Sequence, residues 1–579
     1  MAGERGSYLK KWTGRKPVAL LYPNVYRVGM SSLGFQLVYN MLNEQEDLVC
    51  ERFFLPEEGG SLTSMESGRP LSDFSLVYIS ISFEHDYINL VRMLMAGGIH
   101  PLADRRPVEV GPGSPLVICG GVISFMNPEP IAPFIDMFYV GEAEESLVEV
   151  NAEIFASIAL GRGDLLKKVC TEYDGCYGPR FYHPFYGDDG RQAGYDVDEG
   201  LPRRIKKLTL YHSDRAAHSQ LLTKEAEFSD LYLTELGRGC SRGCRFCTAG
   251  FIYRPPRLWD ADAVVAGLKE RFDGVERVGL LGMEMAATKD LDAIAEYLLG
   301  SGCSLSFSSL RADRITSDLL DLLGKSHLKS VAIAPDGSSE RLRLVINKGL
   351  KESDLLSAAE NLVSAGIFKL KLYLMVGLPT ETEEDLQEAV DLVGKIKARI
   401  DPIGKSRGHL CDIVVSANSF APKPWTPFQY HGFGVSERLF PGESVSAQRV
   451  VKTLKERLKF LKTGFAQYDN VSMNSDKPEH VLFQALLSRG DRRIADVLLS
   501  MITEGCNWKQ AMKRHGLQTE DYIISCYDDK SFLPWSIIDH GIAPEYLWHE
   551  YLKSFKSLQT AACLVGSCRK CGVCGEGKN

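Results

Sequence analysis

Short apolar runs alternate with amphipathic stretches in two separate blocks of this chain, and that alternation narrows the choice of fold more than any other feature. In the first block, Val18 to Tyr22, Leu76 to Phe83, Leu116 to Gly120 and Met137 to Val140 read as buried strands. Leu33 to Leu42 and Tyr87 to Ala96 carry helical periodicity between them. Strands separated by helices call for parallel pairing with right-handed crossovers. In the second block the strands are Leu231 to Glu235, Arg277 to Leu281, Ser304 to Ser308, Ser330 to Ile333, Lys369 to Met375 and Asp412 to Ala417. Helical patterns such as Ala261 to Arg271 and Thr382 to Ile396 lie between them. Six such units suit a partial or full α/β barrel.

The chain has 579 residues, too many for one hydrophobic core. Four regions are expected. Residues 1–160 form a Rossmann-like α/β domain, and 161–228 a linker with a short sheet extension near Arg204 to Leu210. Residues 229–435 form the barrel, and 436–579 a helical C-terminal region ending in a Cys-rich tail. Helical patterns there include Val445 to Lys462, Glu479 to Leu487 and Asp491 to Ile502, and no parallel-sheet pattern is visible beyond Pro441.

The formal net charge of −8 gives no global basic field of the kind that gathers nucleic acid. The cluster Arg203, Arg204, Lys206 and Lys207 reads as a solvated loop edge. No run of about 18 apolar residues suggests a membrane span, and the polar segment Met1 to Lys16 lacks the apolar core of a signal peptide. The expected compartment is the cytoplasm. There, 15 cysteines stay reduced, and clustered ones point to metal rather than disulfides. Seven fall in two tight groups. Most of the others, at 50, 119, 170, 176, 303, 411, 506 and 526, read as small buried hydrophobes.

The first group, Cys240, Cys244 and Cys247, has the spacing Cys-x-x-x-Cys-x-x-Cys and follows the first barrel strand directly. That places it at the carboxyl end of a strand, the face where barrel active sites lie. Three thiolates within eight residues suit an iron–sulfur cube with one iron left open. A zinc site completed by a distant ligand is the alternative, but zinc more often takes paired knuckles.

With an aromatic residue, Phe246, just before its last Cys, this segment resembles the signature of the radical S-adenosylmethionine superfamily. The resemblance implies that Cys240, Cys244 and Cys247 hold a catalytic 4Fe–4S cluster. Its open iron would chelate S-adenosylmethionine, whose reductive cleavage gives a 5′-deoxyadenosyl radical. It also implies an electron donor such as flavodoxin or ferredoxin. Further matches fall in register at later strand ends. Leu281-Gly282-Met283-Glu284 stands where the superfamily has a Gly-Gly-Glu-type motif, with Met283 replacing one Gly. Ser309 and Arg311 lie in the region that contacts ribose or carboxylate. Ala334-Pro335-Asp336-Gly337 follows the fourth strand, and Gly377-Leu378-Pro379-Thr380 resembles a segment common in the superfamily. Phe246, Gly282, Glu284, Ser309, Arg311, Gly377 and Pro379 are thus the candidate contacts for S-adenosylmethionine.

Before the barrel, Gly29, Ser80, Gly120, Gly121 and Gly141 occur at successive loop positions. Their order resembles the cobalamin-binding domain of one large subgroup of the superfamily, and glycines at strand ends let a bulky cofactor approach the backbone. The Asp-x-His-x-x-Gly cobalt-ligating motif is absent, and His85 is not expected to be a ligand. Bound cobalamin and a cofactor-free Rossmann-like domain both remain open.

The second group, Cys563, Cys568, Cys571 and Cys574, could ligate a second 4Fe–4S cluster, a zinc ion, or neither. Over nearly its whole length the chain resembles an uncharacterised bacterial branch of these cobalamin-domain proteins. Three functions follow. One is a radical enzyme that modifies a carbon centre, with cobalamin-dependent methylation as one outcome. Another is an enzyme of methylthiotransferase type acting on RNA or a ribosomal protein, for which the basic stretch Arg449 to Lys462 and the second Cys group speak. The last is a non-catalytic iron–sulfur or cobalamin sensor. Phe251, Tyr253, Tyr373 and Trp425, near the barrel mouth, either shape a substrate pocket or pack the core.

Overall fold

The computed structural model describes residues 3–57, 60–282, 288–307, 309–326, 328–439 and 445–574. The first sheet contains β1 (Lys16–Tyr22), β2 (Leu48–Phe54), β3 (Leu76–Ser80), β4 (Leu116–Gly120), β5 (Met137–Tyr139) and β6 (Cys176–Tyr177), in the order β2-β1-β3-β4-β5-β6. The first five run parallel and β6 runs antiparallel at the edge. Helices Leu33–Glu44 and Tyr87–Ala96 coincide closely with the periodic stretches, and Ser32 caps the former by accepting from the Phe35 amide.

β2 breaks the expected pattern. Glu51 and Arg52 interrupt its apolar run, yet every residue of the strand is buried. Each charge has partners. Arg52 pairs with Glu4 and Glu66, both at 2.6 Å, and Glu51 accepts from Trp12 and Ser67. Buried charges persist when paired and hydrogen-bonded in this way.

Residues 161–228 carry more structure than a short sheet extension. After the helix Arg162–Glu172 and β6 comes a hairpin, β7 (Tyr182–Tyr186) and β8 (Gln192–Val197). The alternating run near Arg204 shortens to β9 (Ile205–Lys206), followed by a bridge from Leu208 to Gly141. Lys207 departs from the solvated-edge expectation. Its side chain is only 2% exposed.

The second parallel system begins with β10 (Tyr232–Glu235). A short antiparallel pair, β11 (Gly237–Arg238) with β12 (Arg257–Leu258), closes the base of the excursion that carries the first Cys group. Then follow β13 (Arg277–Leu281), β14 (Ser304–Phe307), β15 (Ser330–Asp336), β16 (Lys369–Val376) and β17 (Asp412–Ser419), each pairing parallel within the orders β10-β13-β14 and β15-β16-β17. The Leu310 amide, donating to Ala332 O at 2.8 Å, joins the two sets. The expectation of no parallel strand beyond Pro441 fails. β18 (Val471–Asn474) pairs parallel with β17. Its four residues, two of them polar and exposed, are too few to show a period. The result is a partial α/β barrel. Along β16 the residues alternate strictly. Leu370, Leu372, Leu374 and Val376 are buried, and Lys369, Lys371 and Tyr373 are exposed. The last short strand, β19 (Ile538–Asp539), returns from the C-terminal helical region to pair with β9.

The 15 cysteines form no disulfide. Of the eight scattered ones, all but Cys506 are buried. Among the described residues, no helix is long and apolar enough to cross a membrane.

Candidate active site

The first Cys group sits on the loop between β11 and the helix Ala249–Ile252. All three thiols are half-buried. Gly239 adopts φ +85°, and a Cβ there would meet Tyr253 O at 2.7 Å, so the loop can fold back only with glycine at this point. The Cys247 amide donates to Cys244 O at 3.0 Å and the Gly250 amide to Cys247 O at 3.2 Å.

Arg245, between the second and third cysteines, points away from them and is fully buried. Its guanidinium donates to Leu344 O, Val345 O, Leu558 O and the Glu550 carboxylate, and its amide donates to Ile346 O. Asn347 supports the loop from the same side, donating from Nδ2 to Gly243 O at 3.0 Å. It adopts φ +57°, a conformation asparagine tolerates better than most residues. Neither contact was foreseen. The only sequence hint is the Asn347-Lys348-Gly349 break after a helical pattern.

Burial, reinforced by the neighbouring Cys244, pushes the Cys247 thiol up to about 12. Burial also raises Cys244, against the pull of Lys348, Arg311 and Arg242. Metal coordination reverses such a shift, since a bound thiol is deprotonated outright. Burial would lower the Lys348 ammonium, but Asp336, 2.6 Å away, and Cys244 outweigh it and hold it raised. Arg311 donates to Lys348 O at 2.5 Å and pairs with Asp313. Cations therefore gather on the Cys244 side of the loop. Thiolate donors with cationic neighbours suit an iron–sulfur cube. Among the described residues, no three His, Cys, Asp or Glu side chains close on one point as they would around a single metal ion. A four-iron cube needs less convergence, because its thiolates occupy separate corners.

Beside this loop lies a cavity of about 520 Å³, within the usual range of cofactor sites. Its floor is the carboxyl end of the first sheet, with Ser80, Gly120, Gly121 and Gly141, and its opposite wall includes Gly237, Tyr253 and Gly282. Gly34 and Gly120 leave it open. A Cβ at Gly34 would meet nothing within 4 Å, and at Gly120 only Tyr139 O at 4.0 Å. Among the described lining residues there is no His, Cys or Met. His85 stands elsewhere, edge-on to Phe483.

Other expected positions divide. Gly29 lies outside the cavity, and a Cβ there would strike the Phe54 ring at 2.4 Å, so its small size serves packing. Gly377 and Pro379 are buried, and the Gly377 turn presses on Leu454 of the helix Ala447–Phe465. Phe246 is partly buried against the core, and Ser309 is exposed. Glu284 and Met283 fall outside the described residues. Of the aromatic residues, Tyr253 lines the cavity and Tyr373 is exposed. Phe251 is buried, as is Trp425, which donates to Met126 O at 3.1 Å.

A charged cluster borders the cavity. The Glu142 carboxylate accepts from Arg238 at 2.8 Å, and from Arg257 at 2.8 and 3.0 Å, with Lys207 Nζ at 3.6 Å. Arg238 also reaches Glu144 and Glu235. Burial lowers Lys207 to about 8, against the pull of Glu142.

The profile described as "Radical SAM proteins, N-terminal" matches residues 34–179, and that of the "Radical SAM superfamily" matches residues 234–393. The chain belongs to the radical SAM superfamily. As a radical SAM enzyme it works with a 4Fe–4S cluster and S-adenosylmethionine. An uncharacterised protein of Methanocaldococcus jannaschii is 30% identical over 488 residues, 83% of this radical SAM chain and 90% of that protein. The ribosomal protein uS12 methylthiotransferase of Pelotomaculum thermopropionicum is 26% identical over 28% of this chain and 40% of its own length. Among solved structures, the radical S-adenosylmethionine methyltransferase TsrM from Kitasatospora setae, with cobalamin and a [4Fe-4S] cluster bound, aligns at a TM-score of 0.46 and 13% identity. That alignment covers 87% of this chain and 99% of that one.

Proposed function

We propose that this radical SAM enzyme binds cobalamin in the cavity between the first sheet and the partial barrel, and methylates a carbon centre of its substrate. The observation that carries this reading is the cavity itself. It opens at the carboxyl ends of parallel strands, where such sheets bind ligands. Gly34 and Gly120 leave free the space that side chains would fill, and the Cys240 loop stands against its far wall.

When bound, the cluster with S-adenosylmethionine supplies a 5′-deoxyadenosyl radical, and cobalamin supplies a transferable methyl group. The chain's own residues then divide the work. Cys240, Cys244 and Cys247 hold the cluster, while Arg245 and Asn347 fix their loop. Gly282 and Arg311, with Lys348 behind it, would contact S-adenosylmethionine, to whose carboxylate Arg311 would offer a positive charge. Ser80, Gly120, Gly121 and Gly141 floor the cobalamin site. None of the described lining residues offers an imidazole. The Glu142–Arg238–Arg257 cluster borders this site. Reduced, scattered thiols fit a cytoplasmic protein served by a flavodoxin or ferredoxin.

The test is anaerobic reconstitution followed by incubation with dithionite and S-adenosylmethionine. Mass spectrometry should find 5′-deoxyadenosine, and loading with cobalamin should give a protein-bound visible spectrum and S-adenosylhomocysteine. Formation of 5′-deoxyadenosine without any cobalamin retention would remove the methylation reading and leave the radical one. Tight S-adenosylmethionine binding with neither product, even when candidate RNA and small-molecule pools are added, would mark a sensor.

A further inference from the structure

The last helix, Pro544–Ser554, carries the chain back to the first Cys loop, and the segment after it is fastened there at three successive points. Leu558 O accepts from Arg245 at 2.6 Å. Thr560 exchanges two hydrogen bonds with the Asn347 side chain, at 2.8 and 3.2 Å. The Cys563 amide donates to Ser241 O at 2.7 Å. Ser241 directly follows Cys240, so the first cysteine of the tail rests on the backbone of the first cysteine group.

Beyond this contact the tail folds over itself. The Cys568 amide donates to Leu564 O at 2.9 Å, and the Cys563 thiol lies within electrostatic reach of Cys568 and Cys571. Cys571 is buried. Its carbonyl accepts from Ala543, and its thiol lies within electrostatic reach of the Arg254 guanidinium. Arg254 also donates to Gly250 O at 2.8 Å, in the helix that follows Cys247. One guanidinium thus lies within reach of both cysteine regions. Outside them, Leu564, Val565, Arg569 and Lys570 face solvent.

We propose that Cys563, Cys568, Cys571 and Cys574 hold a second iron–sulfur cluster, docked on the loop of the first, which passes electrons to it from outside. Its spacing, Cys-x4-Cys-x2-Cys-x2-Cys, has the tight pairs of ferredoxin-like sites, and four thiolates leave no iron open for substrate. The tail site lies between solvent and the Cys240 loop, the position a relay requires. In the step itself a flavodoxin- or ferredoxin-class protein gives one electron to the tail cluster. That electron then moves to the first cluster, so the tail cluster is reoxidised as the first is reduced, with no bond made and no proton moved. This rests on the Cys240 loop holding the radical cluster.

The experiment reconstitutes three full-length proteins without oxygen: the natural chain, C240S/C244S/C247S and C568S/C574S. Iron, sulfide and zinc are counted, and spectra are taken with and without S-adenosylmethionine. The natural chain should hold about eight irons and each variant about four. Of the two variants, only C568S/C574S should keep the signal, perturbed by S-adenosylmethionine, that the natural chain shows. Reduction of that remaining cluster by flavodoxin should slow by about ten-fold or more, while reduction by dithionite stays unchanged. About four irons in both the natural chain and C568S/C574S, or zinc in the tail, would overturn the second cluster and leave the first intact. Equal flavodoxin rates would overturn the relay. Loss of the perturbed signal from the natural chain would instead strike the reading of the Cys240 loop.

Discussion

Arg245, inside the first cysteine group, meets Glu550 at 3.1 Å across 305 residues of sequence. Both side chains are buried, so the pair ties the cysteine loop to the last helix. Removing one partner of a buried pair leaves the other uncompensated and costs about 3–5 kcal/mol. Glu550 retains Lys553 and Thr560, which softens its loss of Arg245. Arg245→Ala should therefore lower stability by about 3 kcal/mol, near the bottom of that range, and reduce iron incorporation at the first loop. Denaturant unfolding and iron counts on the same preparation check both. Full iron at reduced stability would show that the loop keeps its shape without this anchor.

The cavity makes a prediction in which stability and binding part ways. Gly34 lies in the first turn of the helix Leu33–Glu44, and a Cβ there meets nothing within 4 Å. Gly34→Leu projects a side chain into the cavity while removing a glycine from a helix, a change worth about 1 kcal/mol in favour of folding. The variant should melt no lower than the natural chain yet bind cobalamin at least about ten-fold more weakly, a loss of 1.4 kcal/mol or more. Titration followed by the visible spectrum of cobalamin reads this directly. Undiminished binding would place the cofactor elsewhere.

What could be read from the sequence follows a physical division. The Cys240 loop was legible because three thiolates must stand close in sequence to stand close in space on one loop. The strands were legible where both faces are apolar, and β13 and β4 match their expected bounds. β2 was hidden because Glu51 and Arg52 are neutralised by Glu4, Glu66, Trp12 and Ser67, partners no local pattern reveals. Gly29 looked like its neighbours at strand ends, but the nearby Phe54 ring decides its role. The Ser241–Cys563 contact joins segments more than half the chain apart, and only the folded backbone brings them together.

Glu142 is the keystone of the charged cluster beside the cavity, and its removal should weigh far more than removal of Lys207. Three cations converge on its carboxylate. Glu142→Gln leaves Arg257 and Lys207 buried beside a neutral amide, and should destabilise the protein by about 3–5 kcal/mol. Lys207 sits between the Phe125 and Tyr253 rings, 5.6 and 5.7 Å from their centres, and its Nζ makes no hydrogen bond. Lys207→Met removes a desolvated charge while Glu142 keeps both arginines, so stability should change by no more than about 1 kcal/mol. Urea unfolding of both variants decides the matter. Equal losses would mean that Lys207, not the arginines, balances Glu142.

The Gly377 turn carries a pH-dependent element. Glu381 is wholly buried, accepting from the Gly377 amide and from Arg457, both at 2.8 Å. Burial raises its carboxyl to about 7 despite both donors. In the unfolded chain a glutamate titrates near about 4.3. Between these values the folded state binds the extra proton, so the contribution of Glu381 is full below about pH 4.3 and lost as pH rises through about 7. The shift corresponds to roughly 3–4 kcal/mol at most. Glu381→Gln has no proton to lose and keeps an oxygen for the Gly377 amide. Relative to this variant, the natural chain should lose about 2 kcal/mol of unfolding free energy between pH 5 and pH 8. Urea unfolding across that range measures the difference. A gain in place of the loss would mean that Arg457 overcomes burial and holds Glu381 ionised throughout.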